Sequence, residues 1–178
     1  MEAVEAGLDS VRAAPADNGR VELIVRRPEV DARELVEEAT LDPDVGLVGD
    51  NWHVKPSLKT GAPNPEAQLT VMNARVTALV AGDDPERWAQ AGDQLFVDLD
   101  LSYRNLPPGT RLQVGEAVIE VTDEPHRGCG KFSSRFGVEA LKFVNSAVGR
   151  ELNMRGINTK IVTGGVVRTG DAVTKASP

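Results

Sequence analysis

The residues with the clearest capacity for chemistry surround the only cysteine, Cys129, in the run DEPHRGCGKFSSRFG at positions 123–137. Glycines flank it on both sides, and glycine accepts positive φ and leaves the sulfur accessible. Neighbouring cations and the start of a helix both favour a thiolate over a thiol. A thiolate is the form that attacks as a nucleophile or binds a soft metal ion. The basic neighbours are His126, Arg127, Lys131 and Arg135.

We therefore predict a reactive sulfur at Cys129, either a nucleophile or a soft-metal ligand, with Cys129 and His126 as the candidate catalytic residues. The sequence leaves alternatives open. A lone cysteine is often a small buried hydrophobic side chain. His126 can cap the end of a strand, orient the thiolate or lie exposed, and Lys131 and Arg135 can occupy a solvated helix face.

Two further clusters contain candidate binding residues. The run GLVGDNWH at 46–53 places Asp50 in a tight turn and contains His53, the only other histidine. It predicts an anion or cofactor site, or a structural turn with Trp52 in the core. The run NMRGINTKIVT at 153–163 contains Arg155 and Lys160, which can hold a phosphate or another oxyanion, or can be surface charges. The sequence has no nucleotide-binding glycine loop, no Ser-His-Asp pattern and no HExxH motif.

Composition narrows the class of protein. The chain has 178 residues, of which 40% are hydrophobic and 26% charged, as in a globular protein with one core. The net charge of −7 and the 4% aromatic content disfavour nucleic-acid binding. One cysteine and two histidines exclude an internal disulfide and nearly exclude a Cys/His zinc site. No apolar run predicts a membrane span or signal peptide, so we expect a reduced, cytoplasmic protein.

Glycine-punctuated apolar runs predict many short strands, at 20–26, 94–99, 110–114, 117–122, 157–162, 166–168 and 172–173. Residues 68–80 predict one strand or a hairpin, and 46–65 a long loop. We expect helices at 31–41, with Asp31 as N-cap and Glu34 completing a capping box, at 86–91, and over 133–152 as the longest. This pattern predicts an α+β, strand-rich, barrel-like fold with peripheral helices. Residues 1–19 would form a loose N-terminal arm, and residues 20–175 a single domain.

Several of these runs together resemble a known family, the MOSC domain, named for the C-terminal domain of molybdenum cofactor sulfurase. The runs EPHRGCGKFSSRFGVEAL and GRELNMRGINTKIVTGGVVRTGD carry the resemblance. GLVGDNWH is similar to the family's early Gly-Asp turn, and AGDQL and PGTRLQVGEAVIEVT to its central strands. The similarity spans about residues 46–171, and the cysteine in its glycine-rich turn is the most specific part.

The resemblance implies a barrel-like fold and an association with the molybdenum cofactor, molybdopterin. Cys129 would carry sulfur as a persulfide or ligate molybdenum. The residues expected to bind the cofactor are Arg127, Lys131, Arg135, Arg155, Lys160, Asp50 and His53. The partners would be a sulfur donor of the cysteine desulfurase type or a molybdoenzyme acceptor. No pyridoxal phosphate is expected, because the chain has no room for a desulfurase domain.

Three functions remain open at this point. The first is a cofactor-binding or sulfur-carrier protein that works through Cys129. The second is a molybdoenzyme that reduces N-hydroxylated compounds with electrons from an outside donor. The third is a non-catalytic binding module in which Cys129 only packs. The sequence does not decide whether the protein is an enzyme.

Overall fold

The computed structural model describes residues 2–57 and 60–177, with side chains from residue 6 onward. The strands in this part of the chain are β1 to β11, at Gly19–Arg26, Glu34–Val36, Glu38–Asp42, Gly46–Leu47, Leu69–Asn73, Leu95–Asp98, Arg111–Val114, Ala117–Val121, Ile157–Thr163, Gly165–Arg168 and Ala172–Lys175. The helices are α1 to α6, at Glu2–Arg12, Ala74–Ala81, Pro85–Ala89, Gly130–Phe136, Val138–Asn145 and Ala147–Glu151. Short 3₁₀ turns lie at Trp52–Val54 and Pro65–Ala67. None of the helices in these ranges has the length and apolar character needed to cross a bilayer.

Seven strands close into a barrel in the order β1, β6, β5, β9, β8, β7 and β11, and β11 pairs back onto β1. Every pair is antiparallel except β5 with β6. The long strand β1 makes the closure possible, because its start pairs with β11 while its end pairs with β2. A smaller sheet, β10-β3-β4, lies beside the barrel sheet. The α+β, strand-rich, barrel-like fold expected from the sequence is therefore confirmed.

Every second side chain along the strands fills the barrel interior. A second apolar layer packs the barrel against the helices. On β8 the buried residues Ala117, Ile119 and Val121 alternate with partly exposed ones, as period-2 side chains require. Strand β5 is buried along its whole length. One of its faces lines the barrel, while Met72 on the other packs in the cluster that contains Phe132 of α4. This second cluster fixes α4, and with it the residue that precedes α4, Cys129.

The prediction of a helix at 31–41 is wrong, because this segment forms β2 and most of β3. Asp31 has φ +62°, which a helix N-cap does not adopt. Ala39 and Leu41 are buried while their neighbours are more exposed, which is the alternation of a strand. The three apolar residues Leu35, Val36 and Ala39 were too few to distinguish the period of a helix from that of a strand.

The helix expected over 133–152 begins earlier and is divided into α4, α5 and α6. Gly137 separates the first two with φ +94°, a conformation that favours glycine. Ser146 starts the third by accepting a hydrogen bond from the Gly149 N–H at 3.1 Å. The apolar face continues across both breaks, so its periodicity resembled that of one long helix.

Two other segments contain helices that the sequence pattern did not indicate. Residues 68–80 form β5 and then α2, where Asn73 caps the helix by accepting from the Arg75 N–H at 2.8 Å. Residues 2–12 form α1, in which Val11 is 3% exposed. The short helix expected at 86–91 is α3, with Asp84 as its N-cap. The division into an arm at 1–19 and a domain at 20–175 stays a prediction.

Candidate functional site

Cys129 lies in the loop between β8 and α4, at the N-cap of α4, and is exposed. The loop is held by Asn145 of α5, whose side chain accepts from the Gly128 N–H at 3.0 Å and donates to the Gly128 carbonyl at 3.1 Å. Neither flanking glycine has the positive φ expected from the sequence. At Gly128 the packing is close instead, because a Cβ there would lie 2.7 Å from Leu141 Cδ1 and this side chain would have to shift. Gly130 leaves open space beside the cysteine.

The surroundings of the thiol favour its ionised form. Its sulfur accepts no capping hydrogen bond from the first turn of α4. The pKa of Cys129 is nevertheless lowered, chiefly by the backbone N–H of Phe132 and also by that of Lys131, both at the start of α4. Burial opposes this shift, and the charges of Arg155 and Arg135 lower the pKa further. The alternative that Cys129 only packs in the core does not agree with its exposure.

A buried carboxylate connects two of the groups beside the thiol. Asp93 is fully buried, and its two oxygens bind His126 Nε2 at 2.9 Å and Arg155 Nη1 at 2.6 Å. Arg155 also donates to the Ala91 carbonyl at 2.9 Å and lies over the Phe132 ring at 5.1 Å. Its Nε is the one buried side-chain polar atom without a partner among the described residues. Arg155 is thus a buried, positioned cation, and its alternative as a surface charge is excluded.

Burial and charge set the ionisation of this group. Burial alone would raise the pKa of Asp93, but the charges of Arg155 and His126 and their hydrogen bonds lower it to about 2. The pKa of His126 is lowered, chiefly by burial and then by Arg155, although Asp93 opposes the shift. At neutral pH the group is therefore an ionised Asp93 between a charged Arg155 and a neutral His126. This protonation makes His126 Nε2–H the donor to Asp93.

A second buried carboxylate positions another arginine. Asp50 is 1% exposed and binds Arg27 through both oxygens, at 2.9 and 2.8 Å. It also accepts the Arg27 N–H at 2.8 Å and a bond from Gln94 at 3.2 Å. The remaining Arg27 nitrogen, Nη1, donates to the Gly92 carbonyl at 3.0 Å. Asp93 and Gln94, consecutive in sequence, thus reach the two buried ion pairs of the site.

These groups surround a cleft of about 180 Å³ at Cys129. Additional cations come from the β1–β2 region, from the turn after Trp52 and from α4. They include Arg33, Lys55, Lys131 and Arg135. Arg135 pairs with Asp31 at 3.0 Å and donates to the Gln90 carbonyl at 2.9 Å, while Lys131 lies 3.8 Å from Asp31. A basic cleft in a chain of net charge −7 concentrates positive potential at one thiol.

The structure brings together five of the residues predicted for the site: Cys129, His126, Lys131, Arg135 and Arg155. The others lie elsewhere. Asp50 is buried behind the cleft as the partner of Arg27. Arg127 is exposed and lines a neighbouring pocket of about 90 Å³. His53 is exposed on the 3₁₀ turn, and Lys160 pairs with Glu120 at 3.4 Å. His53 and Lys160 are not among the residues that line the cleft.

Sequence reasoning missed the part of the site that comes from distant segments, namely Arg27, Arg33, Lys55, Asp93 and Gln94. Gly92-Asp93 was visible only as the turn before a strand, because the full burial of Asp93 that marks an ion pair appears only in the folded barrel. The residues described contain no cluster of three or more His, Cys, Asp or Glu side chains able to hold a metal ion.

Comparison with known proteins identifies the family of the chain and supports its fold. A model of the MOSC domain matches residues 62–174. YiiM from Escherichia coli has 21% identity and a TM-score of 0.57, covering 89% of this chain and 70% of that one. YuaD from Bacillus subtilis has 17% identity and a TM-score of 0.60, covering 90% and 97%.

A third solved structure, described as a hypothetical protein, has 22% identity and a TM-score of 0.60, covering 89% of this chain and 69% of that one. At these identities the solved structures support the fold alone. No curated protein matches this chain in sequence. The family match covers more than half of the chain and includes Cys129 and Arg155. The chain therefore belongs to the MOSC domain family, which is generally related to the molybdenum cofactor.

Proposed function

We propose that this chain binds the molybdenum cofactor or carries sulfur, and that Cys129 is the persulfide carrier or the molybdenum ligand. The observation that supports this function is an exposed thiol with a lowered pKa beside a cleft lined by basic side chains. Thiolate sulfur suits molybdenum as a soft ligand, and thiolate is also the attacking form in persulfide transfer.

The donor set fits the cofactor that the family implies. Cys129 offers the thiolate, and the cations of the cleft match the charge of the cofactor's phosphate. Arg155 supports this fit because its buried Nε has no partner among the described residues. Cys129 would hold the metal, and Arg135 and Arg155 the phosphate. Such a cofactor supplies a metal centre for sulfur or oxygen transfer.

Sulfur carriage needs only this chain and a donor. The Cys129 thiolate attacks the outer sulfur of a persulfide R–S–SH, and a new S–S bond forms at Cys129. The donor's own S–S bond breaks and its electron pair leaves with R–S⁻, so the exchange needs no external oxidant or reductant. Neutral His126 lines the same cleft and can accept the proton of the incoming persulfide.

The partners follow from this chemistry. A protein of the cysteine desulfurase type would load Cys129, and a molybdoenzyme would accept the sulfur. The single, exposed, unpaired thiol is compatible with the reducing, cytoplasmic location expected from the sequence.

Intact-protein mass spectrometry tests the function. The protein is incubated with a small persulfide donor, beside Cys129→Ser, which keeps the size of the side chain. We expect the wild type to gain the mass of one sulfur atom, reversed by a reductant, and the variant to gain none. The same adduct on both proteins, or on neither, would contradict sulfur carriage by Cys129.

A further inference from the structure

Most cations of the Cys129 cleft are already paired with carboxylates. Asp50 pairs with Arg27, Asp93 with Arg155, and Asp31 with Arg135 and more distantly with Lys131. Two cations in the lining differ: Arg33 and Lys55 have no ion pair to any carboxylate within residues 2–57 and 60–177. No paired carboxylate in these ranges offsets their charges, so they supply uncompensated positive charge in the cleft in addition to the paired arginines.

The surroundings of Arg33 fix its side chain but do not neutralise it. Its Nε donates to the Ala89 carbonyl at 3.1 Å and its Nη1 to the Ala32 carbonyl at 2.7 Å. Carbonyl oxygens satisfy N–H donors without contributing a formal charge. Burial and the charges of Arg135 and Arg27 lower the pKa of Arg33, so this guanidinium is crowded by other cations. It stays protonated, since an arginine does not lose its proton in proteins.

Lys55 also lines the cleft, within electrostatic range of the Arg27–Asp50 pair. Partial desolvation of its ammonium group lowers the pKa of Lys55, and the charges of Arg27 and Lys131 lower it further, although Asp50 opposes the shift. An anion placed in the cleft would relieve this repulsion among cations. Exposed Glu29 also lines the cleft and is not in an ion pair within the described ranges, so it opposes part of the positive potential.

We infer that Arg33 and Lys55 make the Cys129 cleft selective for partners with an anionic oxygen group, a carboxylate or phosphate, near the atom that meets the sulfur. The inference rests on the proposed function only in taking Cys129 as the reacting group. A cleft of about 180 Å³ admits a small molecule or the charged end of a larger one. Neutral or cationic sulfur donors of the same size would react more slowly.

A pair of alkylating reagents measures this selectivity directly. Iodoacetate and iodoacetamide both form a thioether at the Cys129 thiolate and release iodide, and they differ in carrying a carboxylate or a neutral amide. The ratio of the two alkylation rates does not depend on the fraction of Cys129 that is ionised, because both reagents react with the thiolate. Relative to the ratio for a small free thiol, we expect roughly three- to tenfold preference for iodoacetate at low salt. The preference should shrink toward that of the free thiol as salt rises.

Four variants assign the effect. Lys55→Gln and Arg33→Gln should each lower the iodoacetate preference about two- to threefold, and Glu29→Gln should raise it. Lys175→Gln removes an exposed cation that is not among the lining residues and should leave the ratio unchanged. Lys55 is exposed, so its variant keeps the test valid if Arg33→Gln does not fold. A wild-type ratio equal to that of a free thiol, or equal ratios in Lys55→Gln and Lys175→Gln, would overturn the inference.

Inhibition by competing anions, measured at constant ionic strength, distinguishes a phosphate-bearing partner from a carboxylate-bearing one. Slowing of the iodoacetamide reaction by inorganic phosphate alone assigns a phosphate-bearing partner, and slowing by acetate alone a carboxylate-bearing one. Slowing by neither contradicts the inference. Persulfide loading plays no part in these rates, so a failed loading experiment leaves the selectivity result standing, and the reverse also holds.

Discussion

Asp93 joins two of the ionisable groups that line the cleft beside Cys129. It is ionised and fully buried, and it binds a charged Arg155 and a neutral His126. A buried carboxylate is stable in this way only while its charge is compensated. The position of Arg155 and the tautomer of His126 therefore depend on one side chain that lies outside the lining of the cleft.

This arrangement predicts a loss of stability in acid. The folded pKa of Asp93 is about 2, below the ordinary 3.8, so its contribution is present above pH 3.8 and disappears as pH falls toward 2. The shift corresponds to about 2 kcal/mol. The folded pKa of His126 is also lowered, so its contribution is lost as pH falls below 6.5.

Urea unfolding between pH 7 and pH 3 measures this effect. We expect Asp93→Asn to be destabilised by roughly 3–5 kcal/mol at pH 7, because Arg155 is left as an uncompensated buried charge. Its remaining stability should depend less on pH below 4 than that of the wild type. The control is Asp83→Asn at an exposed position. Equal acid sensitivity in the wild type and Asp93→Asn would refute this assignment.

Replacing Arg155 tests its influence on the thiol. In Arg155→Gln the nearby positive charge is lost, so the Cys129 pKa should rise and alkylation at pH 7 should slow about two- to fivefold. The pH dependence of the iodoacetamide rate reports this, and it separates a change in ionisation from a general loss of structure. Arg150→Gln, at an exposed position on α6, should keep the wild-type profile. An unchanged profile in Arg155→Gln would show that the arginine does not act on the thiol.

At the scale of elements, the turn between α6 and β9 packs its backbone at Gly156 against His126 and strand β5. Gly156 has φ +112°, and a Cβ there would lie 2.5 Å from the Val71 carbonyl and 3.1 Å from His126 Cδ2. Both the conformation and the close contact require glycine.

A pair of glycine variants separates these two effects. Gly109 also has a positive φ, +91°, but a Cβ there would meet nothing within 4 Å. We expect Gly109→Ala to cost about 1–2 kcal/mol of unfolding free energy, through conformation alone. Gly156→Ala should cost at least about 2 kcal/mol more, because strand β5 or His126 must move. Thermal or urea unfolding measures both, and equal costs would mean that the contact at Gly156 relaxes freely.

Glycine punctuation predicted most barrel strands, whereas helices were harder to predict. Strands β6 to β11 lie close to their expected positions because a turn bounds each short alternating run. Helix boundaries depended on single backbone conformations at Gly137 and Ser146, which do not interrupt the apolar periodicity. For 31–41, tertiary pairing of β3 with β10, whose residues are more than a hundred positions away, outweighed the local capping pattern.

For the whole molecule, closure of the barrel pairs the first strand, β1, with the last, β11. Val173 of β11 is fully buried and pairs with Gly19 of β1 and Val114 of β7. We expect Val173→Ala to cost about 1.5–3 kcal/mol, the loss of a buried apolar side chain plus a cavity. The matched substitution Val138→Ala is at a position 58% exposed and should cost less than about 0.5 kcal/mol. Similar midpoints for the two variants in urea would contradict a sealed barrel.

The same closure explains why, apart from Arg155, only residues close to Cys129 in sequence were predicted for the cleft. His126, Cys129, Lys131 and Arg135 lie within ten positions in sequence, and the chemistry of a thiolate among cations indicated them directly. Arg27 and Asp93 come to the cleft from segments that only the folded barrel brings together. Burial of their charges is a property of the assembled strands, so no local pattern indicated it.

The pH dependence of iodoacetamide alkylation of the wild-type protein, read by mass spectrometry, tests most directly whether Cys129 is an accessible thiolate. We predict complete modification at Cys129 and a midpoint below that of an ordinary thiol, because the N–H of Phe132 and the nearby cations favour the anion. A midpoint at or above the ordinary thiol value, or slow modification at every pH, would contradict a sulfur held open and ionised for transfer or metal binding.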